Sequence, residues 1–221
     1  ALTALLDFQR INRRMHNKSM TFDNQVTIVG GRNIGEEYFS ASADSNYDDL
    51  DVLAAGPIVR DVSASFDAYW NSPYAVPAAA VIARAGEAEG PEDAYARLAD
   101  LALAARDSSY GRALSHRFGT TLAQGDLELT WVPALLVSDP PQKAAGDLEG
   151  LPIVASVVAP YFEAAEREVF VASAYFVPRA GGERWLGEME ARGVDVTILT
   201  NSYDSNDVMP VYAHYARSRK R

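Results

Sequence analysis

The sequence predicts an α/β protein with a mixed, largely parallel sheet flanked by helices. Two runs of apolar and β-branched residues, 15–22 and 25–29, flank Asp23-Asn24, a pair typical of tight hairpin turns. Between residues 152 and 217, helical patterns alternate with strand-like runs, as in α/β units with parallel strands. With 221 residues, 48% of them hydrophobic, the chain can bury a sizeable core.

A third strand and a helix are predicted to follow the hairpin. The strand spans residues 49–54, and the segment 59–70 has apolar residues at helical spacing. These apolar residues are Val59, Val62, Phe66 and Trp70. Such a stripe favours packing on the sheet over ligand binding.

The middle of the chain predicts two helices. Pro91-Glu92-Asp93 is typical of a helix start, and the pattern continues to Arg106. Residues 109–118 predict a second helix. We interpret the pair as a connector or lid between two α/β parts.

The last part of the chain predicts alternating strands and helices. Strands are expected at 127–137, 169–177 and 194–199, and helices at 152–168, 182–192 and 204–217. This alternation indicates a second α/β unit.

Six residues near the start of the chain stand in a specific pattern, H-x-K-x4-D-x6-G-G-x-N. They are His16, Lys18, Asp23, Gly30, Gly31 and Asn33. With roughly 5% usage of each residue type, the spacing arises by chance about once in 10⁸ starting positions. A neutral imidazole can attack phosphorus, an ammonium neutralises phosphoryl oxygens, and an amide donates hydrogen bonds to them. The pattern therefore favours chemistry on a phosphodiester.

Strand geometry is expected to bring these groups together. Side chains alternate along a strand, so His16 and Lys18 should share one face while Asn17 points to the other. Gly30-Gly31 lets the backbone approach a ligand closely. Residues 34–39 predict a helix start whose first amides face the bound anion.

This constellation resembles the phospholipase D superfamily, whose signature is H-x-K-x4-D followed by G-(G/S)-x-N. Further segments are similar to its bacterial cardiolipin synthase branch, namely 29–39, 49–52, 137–141, 174–178 and 199–202. The resemblance covers most of the chain outside about 73–125. It implies a phospholipase D-like fold with two partial repeats: 1–72 ends the first unit, 73–126 is a helical connector, and 127–221 begins the second.

The resemblance also implies a role for each motif residue. His16 is the expected nucleophile, which forms a phosphohistidine. Lys18 and Asn33 are expected to bind the phosphoryl oxygens, with Gly30 and Gly31 beside them. Neither a metal ion nor a cofactor is expected.

Carboxylates complete the implied site. Asp23 matches the aspartate of the motif, which tends to be structural in the family. Asp49 is the candidate for orienting the nucleophilic histidine, and Asp51, on the same strand face, is the alternative. Neither His116 nor His214 begins a second H-x-K, the motif that supplies the general acid in two-motif members. We therefore expect the chain to be an internal fragment of a two-unit enzyme.

The implied function is phosphatidyl transfer or phosphodiester cleavage on phospholipids. The expected partner is an anionic phospholipid such as phosphatidylglycerol, reached through peripheral membrane contact, and a homodimer remains open. The implied location is bacterial, in the cytoplasm or at the inner membrane. No run of residues is apolar and long enough to predict a transmembrane helix.

Two alternatives remain: a nuclease of the same superfamily, and a module that binds phosphate or membrane without turnover. A net charge of −10 disfavours nucleic acid as partner. The basic cluster Arg10, Arg13 and Arg14 either attracts an anionic substrate or is a solvated helix face. The acidic run from Asp44 to Asp51 is compatible with a divalent cation, although a metal-independent phosphohistidine route is favoured.

Overall fold

The structure is a computed structural model of the chain. It describes residues 15–39, 42, 44–81, 90–108, 111–112, 121, 124–178, 180–206 and 208–219. The chain forms two compact units, Ala1–Ile153 and Val154–Arg221. The boundaries expected after residues 72 and 126 refer to repeats defined by resemblance, and they stay a prediction.

The first unit contains a three-stranded antiparallel sheet. Its strands are β1 (Ser19–Phe22), β2 (Val26–Gly30) and β3 (Asp51–Ala55), with β2 in the centre. Asp23 and Asn24 both have positive φ, 49° and 52°, and the Gln25 amide donates to the Phe22 carbonyl at 2.9 Å. Asp and Asn adopt this left-handed conformation more readily than most residues, so the predicted hairpin turn is confirmed.

Helix α1 (Ile58–Trp70) covers one face of this sheet. Val59 and Val62 are buried, and Ser63 Oγ donates to Asn24 Oδ1 at 2.5 Å, which ties the helix to the hairpin turn. The other two members of the apolar stripe are exposed on the C-terminal turns, so the expected packing on the sheet holds only for the first half of the stripe. These two residues, Phe66 and Trp70, line a cleft that is described below.

The rest of the first unit includes the helices α2 (Ala78–Val81) and α3 (Pro91–Arg106). Helix α3 has the predicted bounds, with proline at its first position and Glu92 and Asp93 in its first turn, where carboxylates face the positive end of the helix dipole. Most of the second predicted connector helix, 109–118, lies outside the described residues; Gly111 and Arg112 are helical.

The second unit alternates helices and strands as predicted. Its elements are α4 (Val154–Glu163), β4 (Glu168–Ala172), α5 (Ala180–Ala191), β5 (Asp195–Leu199) and α6 (Met209–Ser218). The two strands pair in parallel. The unit has a small core of Val169, Met189 and Val194, and Phe162 packs edge-on against Trp185 with ring centroids 5.5 Å apart. The predicted α/β class is confirmed for this unit.

Two predictions about strands are wrong. The sheet of the first unit is antiparallel rather than largely parallel, because a tight hairpin joins β1 to β2 and forces opposite directions. The predicted strand at 127–137 does not form within the described residues, and Trp131, Val132 and Leu135 are exposed. An apolar, β-branched run becomes a strand only where a neighbouring backbone supplies hydrogen bonds.

No helix in the described part of the chain combines the length and the apolar character needed to cross a membrane.

Candidate active site

His16 and Lys18 lie together just before β1. The Lys18 Nζ atom is 3.3 Å from His16 Nδ1 and donates to the His16 carbonyl oxygen at 3.1 Å. Asn17 points elsewhere: its amide donates to the carbonyl oxygen of Asp139 at 3.4 Å. The predicted alternation is therefore present, although the regular strand begins only at Ser19.

The contact between the two side chains has a chemical consequence. An ammonium group only donates, so Nδ1 of His16 accepts from Lys18 in the tautomer in which Nδ1 carries no proton. In a neutral imidazole the proton then sits on Nε2, and neither ring nitrogen has a free lone pair.

The Asp139 carbonyl anchors the motif to the end of α1. It accepts from Asn17 and from the Tyr69 hydroxyl, the latter at 3.1 Å. Burial, and then the negative charge of Asp139, raise the pKa of Tyr69 above its ordinary value of 10.0. The Asp139 carboxylate also pairs with Lys143. The segment around Asp139 therefore fixes the backbone between the two motif residues.

Arg32 holds the loop that joins β2 to β3. Its guanidinium donates to the Asp51 carboxylate and to two backbone carbonyls, those of Tyr38 and Asp49, the latter at 3.0 Å. Three bonds from one planar group fix the loop at both ends. Arg32 occupies the variable position of G-G-x-N, so the motif itself gave no signal for this role.

The two glycines make room for carboxylates. A side chain at Gly30 would overlap the carboxylate and the backbone of Asp51, and one at Gly31 would overlap the carboxylate of Asp49. The space above the glycines is thus filled by acidic groups of this chain. The role of Gly30 and Gly31 beside a bound phosphate stays a prediction.

Asn33 follows Arg32 in the loop between β2 and β3 and is exposed. Its Nδ2 donates to the Tyr38 hydroxyl at 2.8 Å, and the amide nitrogen carries a second hydrogen that can bind a phosphoryl oxygen. The helix expected from residue 34 is only a 3₁₀ turn, Glu36–Tyr38, so the expectation of a helix N-terminus at the anion is wrong. A single turn has too few aligned peptides to form a substantial dipole.

A cleft of about 800 Å³ lies beside the motif in the first unit. Its polar lining includes Lys18, Arg32, Asn33 and Asp51. Gly30 also lines it, whereas His16, Gly31 and Asp49 flank it without lining it. The structure thus brings the predicted phosphate-binding side chains, Lys18 and Asn33, to one cavity.

The acidic residues predicted for the site are Asp23, Asp49 and Asp51. Asp23 lies in the hairpin turn, and the structural role that the resemblance implies for it stays a prediction. Among contacts between described residues, no carboxylate hydrogen-bonds to the His16 ring; Asp49 accepts from the Leu50 amide at 2.9 Å, and Asp51 is bound by Arg32. The orienting role of Asp49 or Asp51 stays a prediction. Within the described ranges, no group of three His, Asp or Glu side chains is placed to hold a metal ion.

The remaining candidates are two histidines and a basic cluster. His214 is exposed on α6 of the second unit. His116 and the cluster Arg10, Arg13 and Arg14 lie outside the described residues. Sequence reasoning missed Tyr69 and Asp139, because their contacts join positions 70 residues apart and follow no local pattern.

Comparison with known proteins finds similarity along nearly the whole chain. The chain is 38% identical over 226 residues to Cardiolipin synthase C of Escherichia coli strain K12, and the match covers 98% of this chain and 46% of that protein. The chain is thus similar to a cardiolipin synthase. Uncharacterized proteins from two Helicobacter pylori strains are each 28% identical over 220 residues, covering 98% of this chain and 43% of each relative.

The chain spans slightly less than half the length of these relatives. No family model matches it, and neither does any solved structure.

Proposed function

We propose that the protein containing this chain transfers phosphatidyl groups, or hydrolyses phospholipids, through a phosphohistidine at His16. The observation that carries the proposal is the contact of His16 with Lys18 at 3.3 Å, beside a cleft that Lys18 and Asn33 line. The similarity to Cardiolipin synthase C supports a phospholipid as the substrate.

The first step follows from the charge of the site. The phosphate of a bound lipid attracts Lys18 away from His16, since an anionic oxygen is a stronger acceptor than a neutral imidazole nitrogen. The second hydrogen of the Asn33 amide stabilises the charge that develops on the phosphoryl oxygens. The imidazole can then take the tautomer with its proton on Nδ1, which leaves the Nε2 lone pair free. Asp49, or alternatively Asp51, is proposed to hold that proton.

The chemical step forms a bond between Nε2 and phosphorus as the bond from phosphorus to the first alcohol oxygen breaks. That oxygen takes a proton from a general acid. The acid is proposed to be a group outside these 221 residues, because they contain one H-x-K and its histidine is the nucleophile. A second alcohol then gives its proton to the same group, which now acts as a base, and attacks phosphorus as the bond between phosphorus and Nε2 breaks. His16 returns to its free form, and with water as the attacking group the same step is hydrolysis.

The test compares variants of the full-length protein on phosphatidylglycerol vesicles. His16→Ala removes the nucleophile and should lower turnover by about 10³-fold or more. Lys18→Ala should also be severe, because the phosphoryl charge then has no ammonium partner. His214→Ala is the matched control and should retain wild-type turnover, since His214 is exposed in the other unit.

The alternatives are outcomes of the same experiment. Near-normal turnover by His16→Ala contradicts the phosphohistidine route. Cleavage of DNA without lipid turnover would indicate a nuclease, and saturable vesicle binding without turnover by the wild type would indicate a non-catalytic module. Dimerisation through the site would appear as two His16 residues per active particle in light scattering combined with active-site labelling.

A further inference from the structure

The non-polar side of the cleft is built largely from the exposed end of α1. Phe66 and Trp70, one helical turn apart, stack with ring centroids 5.8 Å apart and an interplanar angle of 20°. Trp70 is 69% exposed, although it belongs to the same apolar stripe as the buried Val59 and Val62. A stacked aromatic pair on the rim of a cavity is an unsatisfied apolar surface.

Flexible apolar side chains form other parts of the lining. Met15 and Met20 flank the H-x-K segment, and Ile34 follows Asn33 with 96% of its side chain exposed. Methionine adapts its shape to ligands of irregular outline because its side chain is unbranched and polarisable. The apolar lining is therefore continuous in sequence with the residues that are expected to bind phosphate.

The charges of the cleft indicate what kind of molecule fits. Its described lining contains two cationic side chains, Lys18 and Arg32, and one carboxylate, Asp51, so the lining carries one net positive charge. A phosphodiester carries one negative charge. A ligand that complements both the charged and the apolar part of the cleft has one anionic phosphate group and an attached alkyl chain.

We propose that the apolar part of this cleft, defined by Met20, Phe66 and Trp70, binds one acyl chain of the phospholipid whose phosphate contacts Lys18. This inference rests on the proposed function and identifies the part of the substrate that the α1 end recognises. A folded protein segment or a second copy of the chain would also bury the apolar part of the cleft. The net positive charge of the lining next to this apolar part favours an anionic amphiphile over these two occupants.

The experiment measures binding by calorimetry, so it does not depend on turnover. The full-length protein is titrated with a series of monoalkyl phosphates from ethyl to octyl, below their micellar concentrations, at a pH where each carries the same charge. Each methylene buried in the cleft should tighten binding by roughly fourfold. Inorganic phosphate provides the chain-free reference.

Two variants separate the acyl part from the phosphate part. Trp70→Ala should reduce the gain to about twofold per methylene or less, because part of the apolar wall is removed. Lys18→Ala should weaken all members by a similar factor and leave the dependence on chain length unchanged. Trp131→Ala is the matched control, since Trp131 is 74% exposed in the same unit and does not line the cleft.

The outcomes are distinguishable from those for the proposed function. A chain-length dependence that Trp70→Ala lowers and Trp131→Ala preserves supports the acyl site, whether or not His16 is catalytic. Alkyl phosphates that bind no tighter than inorganic phosphate overturn it, as expected if another protein segment covers the wall. An equal dependence in the wild type and Trp70→Ala overturns it as well.

Discussion

Replacing Arg32 by lysine tests whether one guanidinium holds the loop between β2 and β3. Lysine retains the charge and can still approach Asp51, but it lacks the planar fork that also reaches the carbonyls of Tyr38 and Asp49. The variant should therefore lose two hydrogen bonds to the backbone while the ion pair persists.

The magnitude follows from those two bonds. A hydrogen bond of this type contributes roughly 1 kcal/mol net, so their loss should lower the free energy of opening the loop by about 2 kcal/mol. The ion pair persists in the variant and is weakened by solvent, because the Arg32 and Asp51 side chains are 34% and 28% exposed. At room temperature, 2 kcal/mol corresponds to roughly a 30-fold change in the opening equilibrium.

Amide hydrogen exchange is the suitable assay, because it resolves the local opening of one loop in a chain with two compact units. Protected amides of residues 31–39 and 44–50 should exchange roughly 30-fold faster in Arg32→Lys. Arg60→Lys, an exposed position on α1, is the control and should not change them. Unchanged exchange in Arg32→Lys, or equal acceleration in both variants, would refute the proposed role of the guanidinium.

Two further predictions concern stability. Gly30→Ala should destabilise the first unit by about 1–3 kcal/mol, because its methyl group overlaps the Asp51 carboxylate and backbone, whereas Gly187→Ala, with open space around it in α5, should be neutral or stabilising in thermal unfolding. The raised pKa of Tyr69 means that the folded state holds this proton more tightly than the unfolded state, so its contribution to stability is complete below pH 10.0 and is lost as pH rises through the higher folded pKa. Tyr69→Phe should reduce this alkaline loss of stability in denaturation measured from pH 8 to 11; an identical pH dependence in both proteins would contradict the assignment.

Much of the secondary structure follows from local signals. The hairpin turn at Asp23-Asn24 and the bounds of α3 were predictable because turn residues and a proline at the helix start act through their own backbone. The parallel pair β4 and β5 was predictable because a helix separates the two strands. The 127–137 segment was not, because a strand exists only when a neighbouring strand supplies its hydrogen bonds.

Some features of the candidate site likewise follow from the local sequence, and others follow only from the tertiary structure. The sequence by itself determined which groups are available for the proposed phosphoryl chemistry, because residue type and spacing fix an imidazole, an ammonium and an amide at His16, Lys18 and Asn33. Only the tertiary structure decided that Asp139 anchors the motif and that the end of α1 forms an apolar wall. Those features depend on contacts between residues far apart in the chain, and no local pattern of residues encodes such contacts.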